Sequence, residues 1–278
     1  LVFMCVALLE LWAGAGLAWQ SLQSGLVAAR RLQDIIEQPP LVDEPAQPQA
    51  MAATAGALEL RDVVFAWPGQ ALPVLDGMNL HIAPGERVAI GGDSGSGKST
   101  LSQLVLRQID PQQGSITHAG LDLRTLSLAQ WHAQLAWMPQ SAPVFAGSLA
   151  DNLRLGDPAA SDAQLWQSLE AVRLGEWARA QGGLDSWVGE DGATLSGGQA
   201  RRLALARALL RPGGLVLLDE PCEGLDVDTA NALLIDLVAA LDGRSLLMIT
   251  HDALPPGVVH RHYRLQAGKL FDATPAAV

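Results

Sequence analysis

Cysteine is scarce in this sequence: of 278 residues only two, Cys5 and Cys222, carry a thiol. One lies in an N-terminal apolar run and the other directly follows a carboxylate and a proline, so neither suggests a disulfide framework, and a reducing compartment is the natural setting. Positive charge is also short. Lys and Arg number 18 against 29 Asp and Glu, a formal net charge of −11, which removes the basic stripe that a DNA or RNA surface needs. No nucleic-acid partner is therefore expected. Clusters of Cys and His at metal-ligand spacing are missing. A secretory leader is not expected either, because the apolar start has no initiator Met and no basic region ahead of it. The hydrophobic fraction, 49%, is high for a soluble domain, and much of the excess lies at the N-terminus.

What is present concentrates in three stretches. The first is Gly92-Asp93-Ser94-Gly95-Ser96-Gly97-Lys98-Ser99. Val88-Ala89-Ile90 before it reads as a buried strand, and Ser99-Thr100 through Leu106 reads as the helix it opens onto. Strand, loop and helix in that order are the context of a phosphate-binding loop. Glycines let successive N–H groups curl toward phosphate oxygens, and the helix N-terminus adds partial positive charge. Lys98 is a mobile point charge for the β- and γ-phosphates. The Ser99 hydroxyl is a hard oxygen ligand for Mg²⁺. A chance Gly/Ser loop is the bland alternative, and a full eight-position match in context speaks against it.

The second stretch is Leu215-Val216-Leu217-Leu218-Asp219-Glu220. Its continuous apolar run suits a central parallel strand covered on both faces. The two carboxylates then fall at the strand's C-terminal end, where open α/β sheets bind ligands. Asp219 is suited to hold Mg²⁺, and Glu220 to polarise an attacking water as general base. The third stretch, Leu195-Ser196-Gly197-Gly198-Gln199, opens a helix through Leu210. Ser is a preferred N-cap, and a helix N-terminus favours anions.

Together, from about Leu58 to Phe271, these motifs resemble the nucleotide-binding domain of ATP-binding cassette (ABC) proteins. The resemblance implies an α/β fold of the ABC-type P-loop ATPase class: a RecA-like core with an antiparallel β subdomain and a helical subdomain. The domain is expected over 57–278, with the helical subdomain at about 141–194. It implies ATP and Mg²⁺ as ligands, bound along Gly92, Asp93, Ser94, Gly95, Ser96, Gly97, Lys98, Ser99 and Thr100. It implies that Trp67 stacks on adenine where the usual residue is Tyr; a strand-end core aromatic is the alternative. Gln140 matches the Q-loop glutamine that touches Mg²⁺ and the attacking water, and His251 matches the switch histidine at the γ-phosphate. Ser196, Gly197, Gly198 and Gln199 match the signature that closes on ATP held by a second subunit, so one chain carries two half-sites. Asp226 matches the aspartate at the dimer seam. The preceding Glu223-Gly224 departs from the more usual Ser-Ala, marking a subgroup or an altered seam. Cys222 replaces the common Thr beside the nucleotide, as a redox-sensitive thiol or an inert buried one.

The N-terminus adds a second layer. Leu1 to Trp19 approaches the ~20 apolar residues that a membrane helix needs, with Glu10 as its only charge. The helix reads on through Leu22, Leu26, Val27, Leu32, Ile35 and Ile36 until Pro39-Pro40 stops it, and Arg30-Arg31 marks the cytoplasmic side. Residues 1–37 are thus expected to be a last transmembrane helix with its cytoplasmic extension, the remnant of a truncated membrane domain, and 38–56 a linker. A membrane helix running into a C-terminal ATPase resembles ABC exporters. In that group Phe145 to Leu153 lines a groove for a membrane-domain coupling helix. Val188 to Gly192 precedes the signature there, with Glu190-Asp191 as a contact or a solvated loop. Asp219 to Asp226, Gly183 to Gly192 and Ala208-Leu209-Leu210 resemble the CydC-type subunits of the heterodimeric bacterial thiol exporters. That resemblance implies a CydD-like partner and an inner-membrane location with the ATPase facing the cytoplasm. It also implies export of cysteine or glutathione to the periplasm in support of cytochrome bd assembly. A homodimer, a lipid or drug exporter, and a non-transport cassette ATPase are the alternatives.

Overall fold

The computed structural model describes residues 2–38, 40–51, 56–141, 143–189 and 195–274, and within the first helix the side chains of 2–4, 12 and 16–36. The chain divides into two compact units, Leu1–Leu41 and Val42–Val278. The first is one helix, α1 (Val2–Ile36), unbroken over 35 residues and ending before the Pro39-Pro40 pair that cannot continue it. Among the described residues, no helix is long and apolar enough to cross a membrane. The side chains of 5–11 and 13–15, on which the expected span largely rests, lie outside the described residues.

In the second unit the chain runs through β1 (Leu58–Phe65), β2 (Leu75–Ile82), β3 (Arg87–Gly91), α2 (Lys98–Val105), β4 (Gln113–His118) and β5 (Leu121–Asp122). It continues through α3 (Leu128–His132), β6 (Leu135–Met138), β7 (Gly147–Ser148), α4 (Leu149–Arg154), α5 (Asp162–Ala171), α6 (Gly175–Ala180) and β8 (Trp187–Val188). The last elements are α7 (Gly197–Leu210), β9 (Leu215–Asp219), α8 (Val227–Ala240), β10 (Ser245–Ile249), β11 (Arg261–Gln266) and β12 (Lys269–Asp272). An antiparallel sheet of order β2-β1-β4-β5 stands beside a six-stranded sheet of order β12-β11-β3-β10-β9-β6. The second is parallel except for its β12 edge. The short helices α4 to α6 are inserted in the chain between β6 and β9, two strands that pair side by side in that sheet. This is the α/β class with antiparallel and helical subdomains that the motifs imply.

Alternation along the central strands divides the core in two. Val216 and Leu218 of β9, with Leu246 and Met248 of β10, pack with the helical residues Leu153, Leu165 and Leu203. Leu215, Leu217 and Leu247 point the other way and join Leu60, Ile82 and Leu101. Successive strand residues face opposite sides, so a continuous apolar run is what a strand covered on both faces needs.

The second half of the expected linker lies on the second unit. Arg107, 2% exposed, donates from Nη1 to the Leu126 carbonyl at 2.6 Å and from Nη2 to the Asp43 carbonyl at 2.9 Å. Glu44 Oε1 accepts from the Leu128 amide at 3.0 Å, and the Gln49 amide donates to the Thr125 carbonyl at 2.8 Å. Met51 packs against the core half that holds Leu60, Ile82 and Leu101. Composition alone marks this segment as a linker; a buried guanidinium seeking acceptors pins it. Arg107→Ala is expected to destabilise the body by about 2–4 kcal/mol, because buried carbonyls lose their donor. Urea denaturation reads the loss, and faster hydrogen exchange at the Gln49 amide reports release of the segment.

Candidate functional site

The site is built at one level of the parallel sheet. Ile249 of β10 pairs with Ile90 of β3 on one side and with Asp219 of β9 on the other. Everything that follows these strands therefore emerges together: the glycine-rich loop after β3, Asp219 and Glu220 at the end of β9, His251 after β10, and Gln140 after β6. A cavity of about 650 Å³ opens there. Its walls include Trp67, Gly92, Asp93, Ser94, Gly95, Gly97, Lys98, Ser99, Thr100, Gln140, Asp219, Glu220 and His251. Ser96 belongs to the same loop without lining the cavity. Ser196, Gly197, Gly198, Gln199 and Asp226 do not line it.

The loop geometry suits an anion. Gly97 has φ +109° and N-caps α2, and a Cβ there would stand 3.0 Å from Val74 Cγ1. At Gly92 a Cβ would stand 2.6 Å from the Leu265 carbonyl oxygen. Only glycine lets the backbone lie this close at these angles. Lys98 donates from Nζ to the carbonyls of Gly92 at 2.6 Å and Asp93 at 3.0 Å, so its ammonium is folded onto the loop it serves, with no carboxylate among the described residues paired to it. Ser96 Oγ is buried without a hydrogen-bond partner among the described residues. A flexible cation, a helix N-terminus and an unspent hydroxyl together fit a polyphosphate.

Two carboxylates differ in their surroundings. Burial first, and then the charge of Glu220, push Asp219 above its ordinary value, with Lys98 and Arg201 opposing. Glu220 is 6% exposed and sits at φ +50°, a left-handed conformation unusual for a residue with a side chain. Its amide donates to the Ile249 carbonyl at 2.8 Å, and its own carbonyl accepts from Arg201 Nη1 at 2.6 Å. The carboxylate meets His251 twice: Oε2 accepts from the His251 amide at 3.3 Å and Oε1 lies 2.9 Å from Nδ1. The His251 ring is otherwise 60% exposed.

Trp67 is anchored rather than free. Its Nε1 donates to Thr100 Oγ1 at 3.2 Å, and its ring stands edge-on to Phe65, centroids 5.1 Å apart at 84°. It thereby joins both readings of this residue, packing at a strand end while walling the cavity. Ser196 caps α7 in a capping box: Oγ accepts from the Gln199 amide at 3.2 Å, and Gln199 Oε1 accepts from the Ser196 amide at 2.9 Å. Gly198 lies against Leu225, where a Cβ would approach Cδ2 to 2.9 Å. Asp226 caps α8 by accepting from the Thr229 amide at 3.0 Å. Cys222 is buried, and burial pushes its thiol up to about 12, which favours the inert alternative over a reactive thiolate. The Glu190-Asp191 pair lies outside the described residues.

Sequence reasoning missed Gln70 and Val74, which also line the cavity, and Arg201. The last ties the helix opened by Ser196 to the turn holding Glu220, with a second arm to Glu223 Oε2 at 2.8 Å. An arginine two residues past the glycine–glutamine step carries no local sign of this; the contact exists only once α7 packs against the parallel sheet.

Comparisons with known proteins bear on the family and the fold. The family described as ABC transporter matches residues 75–223. The chain is 41% identical over 250 residues to the glutathione/L-cysteine transport system ATP-binding/permease protein CydC of Escherichia coli strain K12, covering 90% of this chain and 43% of that protein. It is 36% identical over 233 residues to an ATP-dependent lipid A-core flippase of Chromobacterium violaceum, covering 84% and 40%. Among solved structures, a bacterial Atm1-family ABC exporter with ATP bound is similar with a TM-score of 0.78 and 28% identity, over 92% of this chain and 45% of that one. The chain spans less than half the length of each.

The Glu220–His251 contact sets a pH dependence. Hydrogen bonding to the Glu220 carboxylate, and then its charge, raise His251 above the ordinary imidazole value of 6.5. A raised folded-state value means that the pair's contribution is fully present below that ordinary value and is lost as pH climbs through the raised one. Glu220→Gln is expected to bring the His251 titration back down, read by NMR of the ring; an unmoved titration would assign the raised value to another group.

Proposed function

Because the chain belongs to the ABC transporter family, which matches just over half of it, we propose that it is the ATP-binding and ATP-hydrolysing part of an exporter subunit. The observation that carries this reading is the common level of three strand ends, which gathers Lys98, Asp219, Glu220 and His251 around one cavity. ATP is bound with Lys98 and the amides of Gly92 to Thr100 on its phosphates and Trp67 against its base. Ser99, Gln140 and Asp219 would hold Mg²⁺. When bound, the ion neutralises charge on phosphate oxygens.

Glu220 is the general base that orients and deprotonates the attacking water, and its near-complete burial keeps that carboxylate from being spent on bulk solvent. His251 takes its orientation from Glu220 and presents its exposed ring toward the terminal phosphate. Gln140 reports the occupied state to the segment that follows it, where Phe145 stands 53% exposed on the face proposed for a membrane-domain helix. Ser196, Gly197, Gly198 and Gln199, with Asp226, serve ATP held by the second subunit. Their place outside the cavity is what two half-sites on one chain require. The helix α1 is read as the end of a membrane domain, with the ATPase on the cytoplasmic side of a bacterial inner membrane.

For the cargo we favour a small thiol, cysteine or glutathione, exported by a heterodimer with a CydD-like partner in support of cytochrome bd assembly. The similarity to proteins named as glutathione/L-cysteine transport components, from Escherichia coli and Haemophilus influenzae, supports it. The flippase similarity keeps a homodimeric lipid exporter as the second reading.

The test is ATP-dependent uptake of labelled cysteine and glutathione into inverted membrane vesicles carrying the full-length parent chain and its co-encoded partner. Glu220→Gln is expected to retain ATP binding, accumulate the closed dimer and lower turnover at this site by roughly 10²- to 10⁴-fold, the range for loss of a general base. Lys98→Ala is expected to weaken ATP binding itself. Uptake that vanishes in Glu220→Gln supports thiol export; ATPase activity without uptake would discard the thiol reading and keep the motor. Unchanged turnover in Glu220→Gln would overturn its assignment as base.

A further inference from the structure

A loop that binds a polyanion is an unfavourable place for a carboxylate, and this one contains Asp93. Its side chain is 78% exposed and borders the same cavity as Lys98. Left alone, such a charge repels a triphosphate. Strand β11 supplies what offsets it. Arg264 stands opposite Gly91 in the parallel register of β11 and β3, two residues before Asp93. Its Nη2 lies 3.2 Å from Asp93 Oδ1 and 3.4 Å from Oδ2. The next residue of β11 presses on the loop as well, since the Leu265 carbonyl is what a Cβ at Gly92 would strike. β11 is held on both sides, by β3 and by β12, so the guanidinium is presented from a paired strand.

We propose that Arg264 is a positioning residue for nucleotide binding, which holds the Asp93 carboxylate and cancels its charge so that an acidic phosphate loop still accepts ATP. The inference rests on the reading of the cavity as the ATP site. Lys98 meets Asp93 at its backbone carbonyl, at 3.0 Å, rather than at its carboxylate, which leaves its ammonium for the phosphates while Arg264 takes the side chain. Two cations thus divide the work on one loop.

The experiment is equilibrium binding of labelled ATP to the full-length parent protein with its partner subunit, at low and high salt. Arg264→Gln is expected to weaken binding roughly three- to fivefold at low salt, the scale of an exposed charge pair, and to approach the unmodified protein at about 0.5 M salt as screening sets in. Arg264→Lys, which keeps the charge, is expected to recover most of the loss. The double variant Arg264→Gln with Asp93→Asn removes both charges and is expected to bind more tightly than Arg264→Gln alone, recovering most of its low-salt loss. A double variant as weak as Arg264→Gln alone, or a loss indifferent to salt, would overturn the proposal and leave Arg264 with a packing role. Lys98→Ala separates the two layers. If it loses affinity and Arg264→Gln does not, only the present inference falls; if Lys98→Ala binds ATP normally, the ATP-site reading falls with it.

Discussion

The parallel hydrogen-bonded register of β3, β10 and β9 is the constraint on which the rest of this structure depends. Ile249 faces Ile90 and Asp219 at once, so the groups that follow each strand come out side by side. A slip of one residue in either ladder would turn every side chain of that strand to the opposite face. Leu247 and Met248 would then exchange the two halves of the core, and the glycine-rich loop, the two carboxylates and His251 would no longer share a level. The core and the site are protected by the same pairing.

Around that level, charges are arranged in couples. Asp93 faces Arg264, Glu220 faces His251, and Glu223 faces Arg201. Lys98 is turned onto the backbone carbonyls of Gly92 and Asp93 and pairs with no carboxylate among the described residues. In a chain of net charge −11, this local pairing offsets carboxylates that would otherwise repel a polyanion. The long-range field is unfavourable and the short-range one is not, because salt screens the former over about 8–10 Å.

Arg201 joins the two halves of the proposed mechanism. It rises from α7, the helix that Ser196 opens, and reaches the carbonyl of Glu220 and the carboxylate of Glu223. Glu220 sits there in a left-handed backbone conformation, which costs of order 1 kcal/mol or more and persists only where its surroundings fix it. The Ile249 carbonyl, Arg201 and His251 are those surroundings. One side chain thus links the helix that Ser196 opens to the turn that holds Glu220, while the Ser196 hydroxyl itself is turned to its own cap rather than to this chain's cavity.

Much of this was readable in the residues. The apolar runs Val88–Ile90 and Leu215–Leu218, the glycine spacing before Lys98, and the cap at Ser196 are local patterns, set by backbone sterics, side-chain size and the needs of a helix end. They determined the fold class, the strands, the phosphate loop and the identity of most cavity residues. The tertiary structure decided what no local pattern encodes. Arg107 turned half of a Pro- and Gln-rich linker into a pinned segment, Arg264 came to Asp93 from a strand 171 residues away, and Arg201 met Glu220 across the packing of α7 on the parallel sheet. It also separated Ser196 and Asp226 from the cavity that their sequence motifs accompany. Each depends on a long side chain finding acceptors brought near by sheet order. That information lies in which strands are neighbours rather than in the residues beside them in the chain.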